Sequence, residues 1–152
     1  MQTLAKIIFD AIMADDALRE RVGGRVKVVC FEVPPDKNDN TPLPYIVVRD
    51  LGRHPSATTK DTGWLPSWFT FNVGVEIGAK SNNEVESLDM QVMKAVANHI
   101  IALDESGQPI PLLEENFPDT QGVAWDWEKP CCWDIIHYQA DMESRDEEPL
   151  ND

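Results

Sequence analysis

Within one stretch of this chain, Phe69 to Ile101, the apolar period changes from two residues to about three and a half, and that change narrows the possible folds more than any other feature. Phe69, Phe71, Val73, Val75 and Ile77 alternate with Thr70, Asn72, Gly74, Glu76 and Gly78. Successive side chains of a strand point to opposite faces, so this is one side of a half-buried strand. After Lys80-Ser81-Asn82-Asn83 the spacing changes: Val85, Leu88, Val92, Val96 and Ile100 recur at three and four, the pattern of a helix lying on a sheet. No reactive group is set into this strand-and-helix unit. The expectation is a protein that acts through its surfaces and is not an enzyme.

At 152 residues the chain is long enough for one domain with a core of its own. Thirteen Lys and Arg against 27 Asp and Glu give a net charge of −14, with a pI near 4.4. Specific DNA or RNA binding needs clustered cations to neutralise phosphates, and this balance opposes it. It suits solubility, a basic protein partner, or a surface past which nucleic acid slides without adhering. Cys30, Cys131 and Cys132 are an odd count without a CxxC spacing, which suggests reduced thiols and neither a disulfide framework nor a zinc site. Residues from Thr3 onward read as an amphipathic helix bearing Lys6 and Asp10. That is not a secretory signal, and no later run is long enough to span a membrane.

Along the chain, Leu4, Ile7, Ile8, Ala11, Ile12 and Leu18 define the apolar side of a helix over Thr3–Arg21, with Thr3 as N-cap and Asp15-Asp16 able to open a second turn after a break. Val22-Gly23-Gly24 stops it. Arg25–Phe31 is a β-branched run of blurred alternation, and the proline-rich segment 34–42 is a loop. Pro44–Asp50 reads as a strand, followed by Leu51–Ser67, which lacks periodicity and lies between two strands, as a long hairpin arm would. Asn83 is the expected cap of the second main helix, which ends near Leu103, and an irregular insert spans 104–122. Val123, Trp125 and Trp127 alternate as a short strand with its tryptophans in the core, and Cys131–Met142 is the last strand. The acidic end, 143–152, reads as a disordered tail. The fold expected is α+β: one domain over 1–142, with an antiparallel sheet of about four strands, two main helices on one face, and a β-hairpin arm over 51–68.

Catalytic and metal patterns are missing from the sequence. There is no GxSxG, HExxH or GxxxxGK[ST] motif. His54 falls in the long loop, His99 near the apolar side of a helix, and His137 in a strand beside Ile135, Ile136 and Tyr138, so solvation and packing account for all three. Cys131 or Cys132 with His137 could meet only through a bulge, being five or six residues apart on one strand. Asp36, Asp39 and Asn40 resemble part of a calcium loop but lack its glycine and distal glutamate. No cofactor and no metal are expected. Tryptophan is a frequent interface anchor, and Trp64 and Trp68 at the far end of the arm have little core around them, which favours contact with a neighbouring subunit.

Several of these parts occur together in a known family. The helix ending Asp16-Ala17-Leu18-Arg19-Glu20-Arg21-Val22-Gly23-Gly24-Arg25-Val26, the strand Pro44-Tyr45-Ile46-Val47-Val48, the strand Phe69–Ile77, the helix with Glu84, Val85, Glu86 and Leu88, and a closing strand with Tyr138-Gln139-Ala140-Asp141 together resemble the tail completion or tail terminator proteins of long-tailed phages and prophages. The likeness spans about residues 3 to 142; the tryptophan-bearing arm and the insert 104–122 depart from the pattern. The resemblance implies a structural virion protein that assembles with itself into a ring, commonly a hexamer, capping the tail tube and facing the head connector. It would be cytoplasmic in a bacterial host during assembly and then part of the virion tail. DNA would pass through without specific binding, and no membrane would be involved. Arg53, Lys60, Asp61, Trp64, Leu65 and Trp68 of the arm are the expected interface residues. The competing reading, from a different functional class, is a soluble acidic adaptor or inhibitor that binds a basic protein partner.

Overall fold

The computed structural model describes residues 3–23, 26–30, 43–56, 68–108, 110–127 and 130–143, with the backbone alone for 26–30. Three helices, α1 (Leu4–Ala14), α2 (Asp16–Arg21) and α3 (Asn82–Glu105), accompany four principal strands, β1 (Val26–Cys30), β2 (Tyr45–Pro55), β3 (Trp68–Ala79) and β7 (Cys131–Glu143). Three short strands, β4 (Leu112–Leu113), β5 (Asp119–Thr120) and β6 (Ala124–Asp126), lie along β7. The sheet runs β1-β2-β3-β7-β4, with β5 and β6 also paired to β7. The protein is α+β, as the periodicity predicts.

Each helix starts where a side chain can accept an orphan backbone N–H. Thr3 Oγ1 accepts from Lys6 N at 3.2 Å. Asp15 Oδ1 accepts from Leu18 N at 3.0 Å, so the helical stretch breaks into α1 and α2 at the aspartate pair. Ser81 Oγ caps α3 through Glu84 N at 3.2 Å, two residues earlier than the expected Asn83, and the helix continues to Glu105. Gly23 ends α2 with φ 61°, a conformation open to glycine at little cost.

β1 departs from the antiparallel expectation. It pairs parallel to β2, Val26 opposite Ile46 and Cys30 opposite Asp50. A parallel pair needs a crossover of about a dozen residues, and 31–44 supply that length. β2 also runs past Asp50 to Pro55, so the expected irregular stretch begins with regular strand. Gly52 (φ 99°) lies in a bulge between Asp50 and Arg53, and pairing resumes with Arg53 opposite Phe71. Two breaker residues therefore sit within a ladder. The insert 104–122 likewise contains β4 and β5.

On β3 the side chains of Phe71, Val73, Val75, Ile77 and Ala79 face the helices, in register with Ala140, Tyr138, Ile136, Asp134 and Cys132 of β7. Leu4, Ile7, Ile8 and Ile12 of α1 and Val85, Leu88 and Val92 of α3 complete this core, all excluded from water. α1 packs against α3 and β2, and α3 against β3 and β7, so the helix layer covers one face of the sheet.

Candidate interaction surfaces

The tryptophans of the C-terminal part lie at the edge of the sheet. In β6, Ala124, Trp125 and Asp126 pair with Trp133, Cys132 and Cys131. Trp125 is 44% exposed and Trp127 is 87% exposed, their rings meeting edge to face at 6.1 Å between centroids. This corrects the expectation that both rings fill the core beneath the helices. The alternation exists, and Val123 does pack against the core, but β6 lies on the outer side of β7, and among the described residues both rings stay exposed there. Leu112 and Leu113 of β4 are exposed on the same fringe, opposite Asp141 and Ala140. Residues 110–127 carry Glu114, Glu115, Asp119 and Asp126 and no lysine or arginine. The outer side of α3 has Met90 and Ile101 exposed, with Lys94 between them.

The expected arm residues divide. Arg53 lies in β2, exposed, its guanidinium carbon 4.6 Å from the Phe69 ring centroid. Trp68 opens β3 opposite Glu143 and is half-buried. The hairpin rungs extend to the bond from Ser56 N to Trp68 O, at 3.0 Å. Lys60, Asp61, Trp64 and Leu65 lie outside the described residues, as do the proline loop with Asp36, Asp39 and Asn40 and the acidic tail beyond Glu143. The adaptor reading leans on that tail.

The sheet face away from the helices carries a polar group that the sequence did not single out. Glu76 lies opposite Val47, so Tyr45 and Arg49 flank it diagonally on the neighbouring strand. Tyr45 Oη donates to Glu76 Oε2 at 2.9 Å, and Arg49 donates through Nη2 at 3.0 Å and Nε at 3.3 Å to Oε1. Burial, then the Glu76 charge, push the Tyr45 hydroxyl well above the usual tyrosine range. The Tyr45 ring lies across Gly78, where a Cβ would come within 2.2 Å of Cε1. A signal was available: Glu76 sits between Gly74 and Gly78, and small residues on a strand leave room for a neighbour's long side chain.

The histidines do not converge on a cysteine. His54 is exposed in β2 opposite Thr70, and His99 is half-buried on α3. His137 lies on the open sheet face with Nε2 3.1 Å from the Gln121 amide nitrogen. β7 runs unbroken from Cys131 to Glu143, so His137 is ~17–20 Å along it from either cysteine. Among the described residues, no three His, Cys, Asp or Glu side chains are grouped to hold a metal. Among the same residues, no helix is long and apolar enough to cross a membrane.

No family model matches the chain, and no curated protein matches it in sequence. Two solved structures are similar to it in the run of the chain. The bacteriophage SPP1 gp17 protein is 17% identical, over 95% of this chain and 90% of that one, with a TM-score of 0.43. A chain from the virion of a native gene transfer agent particle is 15% identical, over 93% of this chain and 96% of that one, also with a TM-score of 0.43. At that level the likeness assigns neither a family nor a role.

Proposed function

We propose that this chain is a structural protein of a phage or prophage virion: a tail terminator-like subunit without enzymatic activity that closes into a ring, commonly a hexamer, on the tail tube and meets the head connector. The observation that carries the reading is the exposed Trp125–Trp127 pair on a short strand held by β7. A large aromatic pair in water is the kind of feature that a partner covers, and tryptophan dominates the energetics of many interfaces. Met90 and Ile101 on α3 are large apolar side chains exposed on a different surface. Ring closure by a heterologous contact joins two unlike patches in this way. The order of elements from Thr3 to Met142 and the net charge of −14 support the same role, since an acidic channel repels the phosphates of passing DNA.

Size-exclusion chromatography with light scattering, with and without uncapped tail tubes, tests the reading. The wild-type protein is expected to form a ring-sized oligomer when tubes are added. Trp127→Ala is expected to stay monomeric at an unchanged melting temperature. A wild-type protein that ignores the tubes, or a Trp127→Ala variant that assembles normally, overturns the assignment.

A further inference from the structure

We propose that Asp89 of α3 and Asp134 of β7 form a proton-gated latch: one shared proton holds the helix on the sheet, and its loss drives the two carboxylates, and the elements that carry them, apart. Asp134 lies in register with Ile77 on the helix-covered face, and Asp89 projects from the core side of α3, next to Leu88 and one turn before Val92. Asp89 is 5% exposed and Asp134 1%. Their side chains come within hydrogen-bonding reach of each other. An ionised carboxylate only accepts, so a bond between two carboxyl groups needs a proton on one of them.

Among the described residues, no cation is seen to compensate a second negative charge on the pair. Asp134 Oδ1 accepts from Ile135 N at 2.8 Å, whereas Asp89 Oδ1 and the Tyr138 hydroxyl, both more than nine-tenths buried, have no hydrogen-bond partner. The charged groups acting on Asp89 are Asp134 and Glu86, both acids. Arg21 of α2 reaches α3 but bonds Ser87 Oγ and Gln91 Oε1. Lys6 and Asp10 of α1 pair with each other at the surface, as do Arg19 and Asp16 of α2. Glu76 of β3 and His137 and Asp141 of β7 belong to the opposite sheet face. Burial and then the Asp134 side chain therefore push the Asp89 carboxyl up to about 8 from an ordinary value of 3.8. The folded state binds this proton more tightly than an opened state does. Its stabilising contribution is complete below the ordinary value and is lost as pH rises toward and through about 8. Met90, the next residue, is exposed on the outer side of α3, so release of the latch alters a surface that faces partners.

The test is amide hydrogen exchange of the intact protein across pH, read as protection factors for α3. The expected opening constant of α3 rises by up to about tenfold per pH unit between about pH 5 and pH 8 and then levels, whereas in Asp89→Asn, whose amide donates without titrating, it stays flat. A carboxyl-carbon NMR titration of the wild-type protein gives an independent reading and is expected to show one aspartate titrating near 8. Wild-type α3 protection that does not vary with pH, or an Asp89 carboxyl titrating in the ordinary range, overturns the latch. Neither measurement depends on ring assembly, so this proposal and the assembly role fail separately.

Discussion

The two faces of the β3–β7 pair each draw a carboxylate away from bulk water, and they stabilise it by different means. On the open face Glu76 has Arg49 and Tyr45 diagonally across the neighbouring strand, and they direct donors at both of its oxygens. On the covered face Asp89 and Asp134 meet under a helix, without a cation among the charged groups acting on Asp89, and in the proposed latch a proton takes the place of the counter-ion. The contrast follows from geometry. Strands place long polar side chains two residues apart on one surface, where they reach each other. A helix laid on that surface offers mainly short apolar contacts, and α3 brings Val85, Leu88 and Val92 there. The open face is thus held by an ion pair, whereas the covered one depends on the proposed shared proton.

The comparison breaks most readily at Glu76. Glu76→Ala leaves a guanidinium and a phenol mostly buried without their acceptor and is expected to lower unfolding free energy by about 2–3 kcal/mol in urea denaturation. Glu76→Gln, which still accepts from Tyr45, is expected to recover part of that. A loss no larger than about 0.5 kcal/mol, typical of plain surface changes, would show that the ion pair does not organise this face. Gly78→Ala comes next, at about 1–3 kcal/mol, since the added Cβ displaces the Tyr45 ring. In a Tyr45→Ala background the same substitution is expected to cost almost nothing, and an undiminished penalty there would point to the backbone instead. The smallest effect is expected from Thr70→Val, about 1 kcal/mol, which removes the 2.6 Å bond from Thr70 Oγ1 to Asp141 Oδ1 at the far end of the open face. Thermal unfolding of Glu76→Ala, Gly78→Ala and Thr70→Val at pH 6 and pH 9 sharpens the contrast. Each is expected to keep the wild-type pH response, because none touches the covered pair.

Much of this arrangement is legible in the residues, and the parts that are not share a physical reason. β3 and α3 declare themselves because a change of period over thirty-odd residues is hard to produce any other way. The break at Asp15-Asp16 is legible because a short acidic side chain caps a helix locally. Partner direction is different: nothing in five residues from Val26 to Cys30 records whether the neighbouring strand runs parallel. Two-residue strands such as β4 and β5 are too short to show a period. Trp125 and Trp127 alternate correctly, yet alternation says which side a ring faces and not whether a layer covers it. The exposure of Leu112, Leu113, Met90 and Ile101 is not legible, because scattered apolar residues look like core. Asp134 could have been found: it keeps phase with Ile136, Tyr138, Ala140 and Met142, and an acid in an apolar series calls for a partner.

The interrupted hem of β4, β5 and β6 has a consequence for how copies can join. Three short pieces occupy stretches of the outer backbone of β7, while among the described residues no strand pairs with the outer side of β1. Endless stacking of one sheet onto the next requires a vacant ladder at both margins. Among the described residues, the margin along β7 offers only two- and three-residue strands, which discourages main-chain zippering there. Contacts between copies of this chain are therefore expected to be made by side chains more than by backbone ladders.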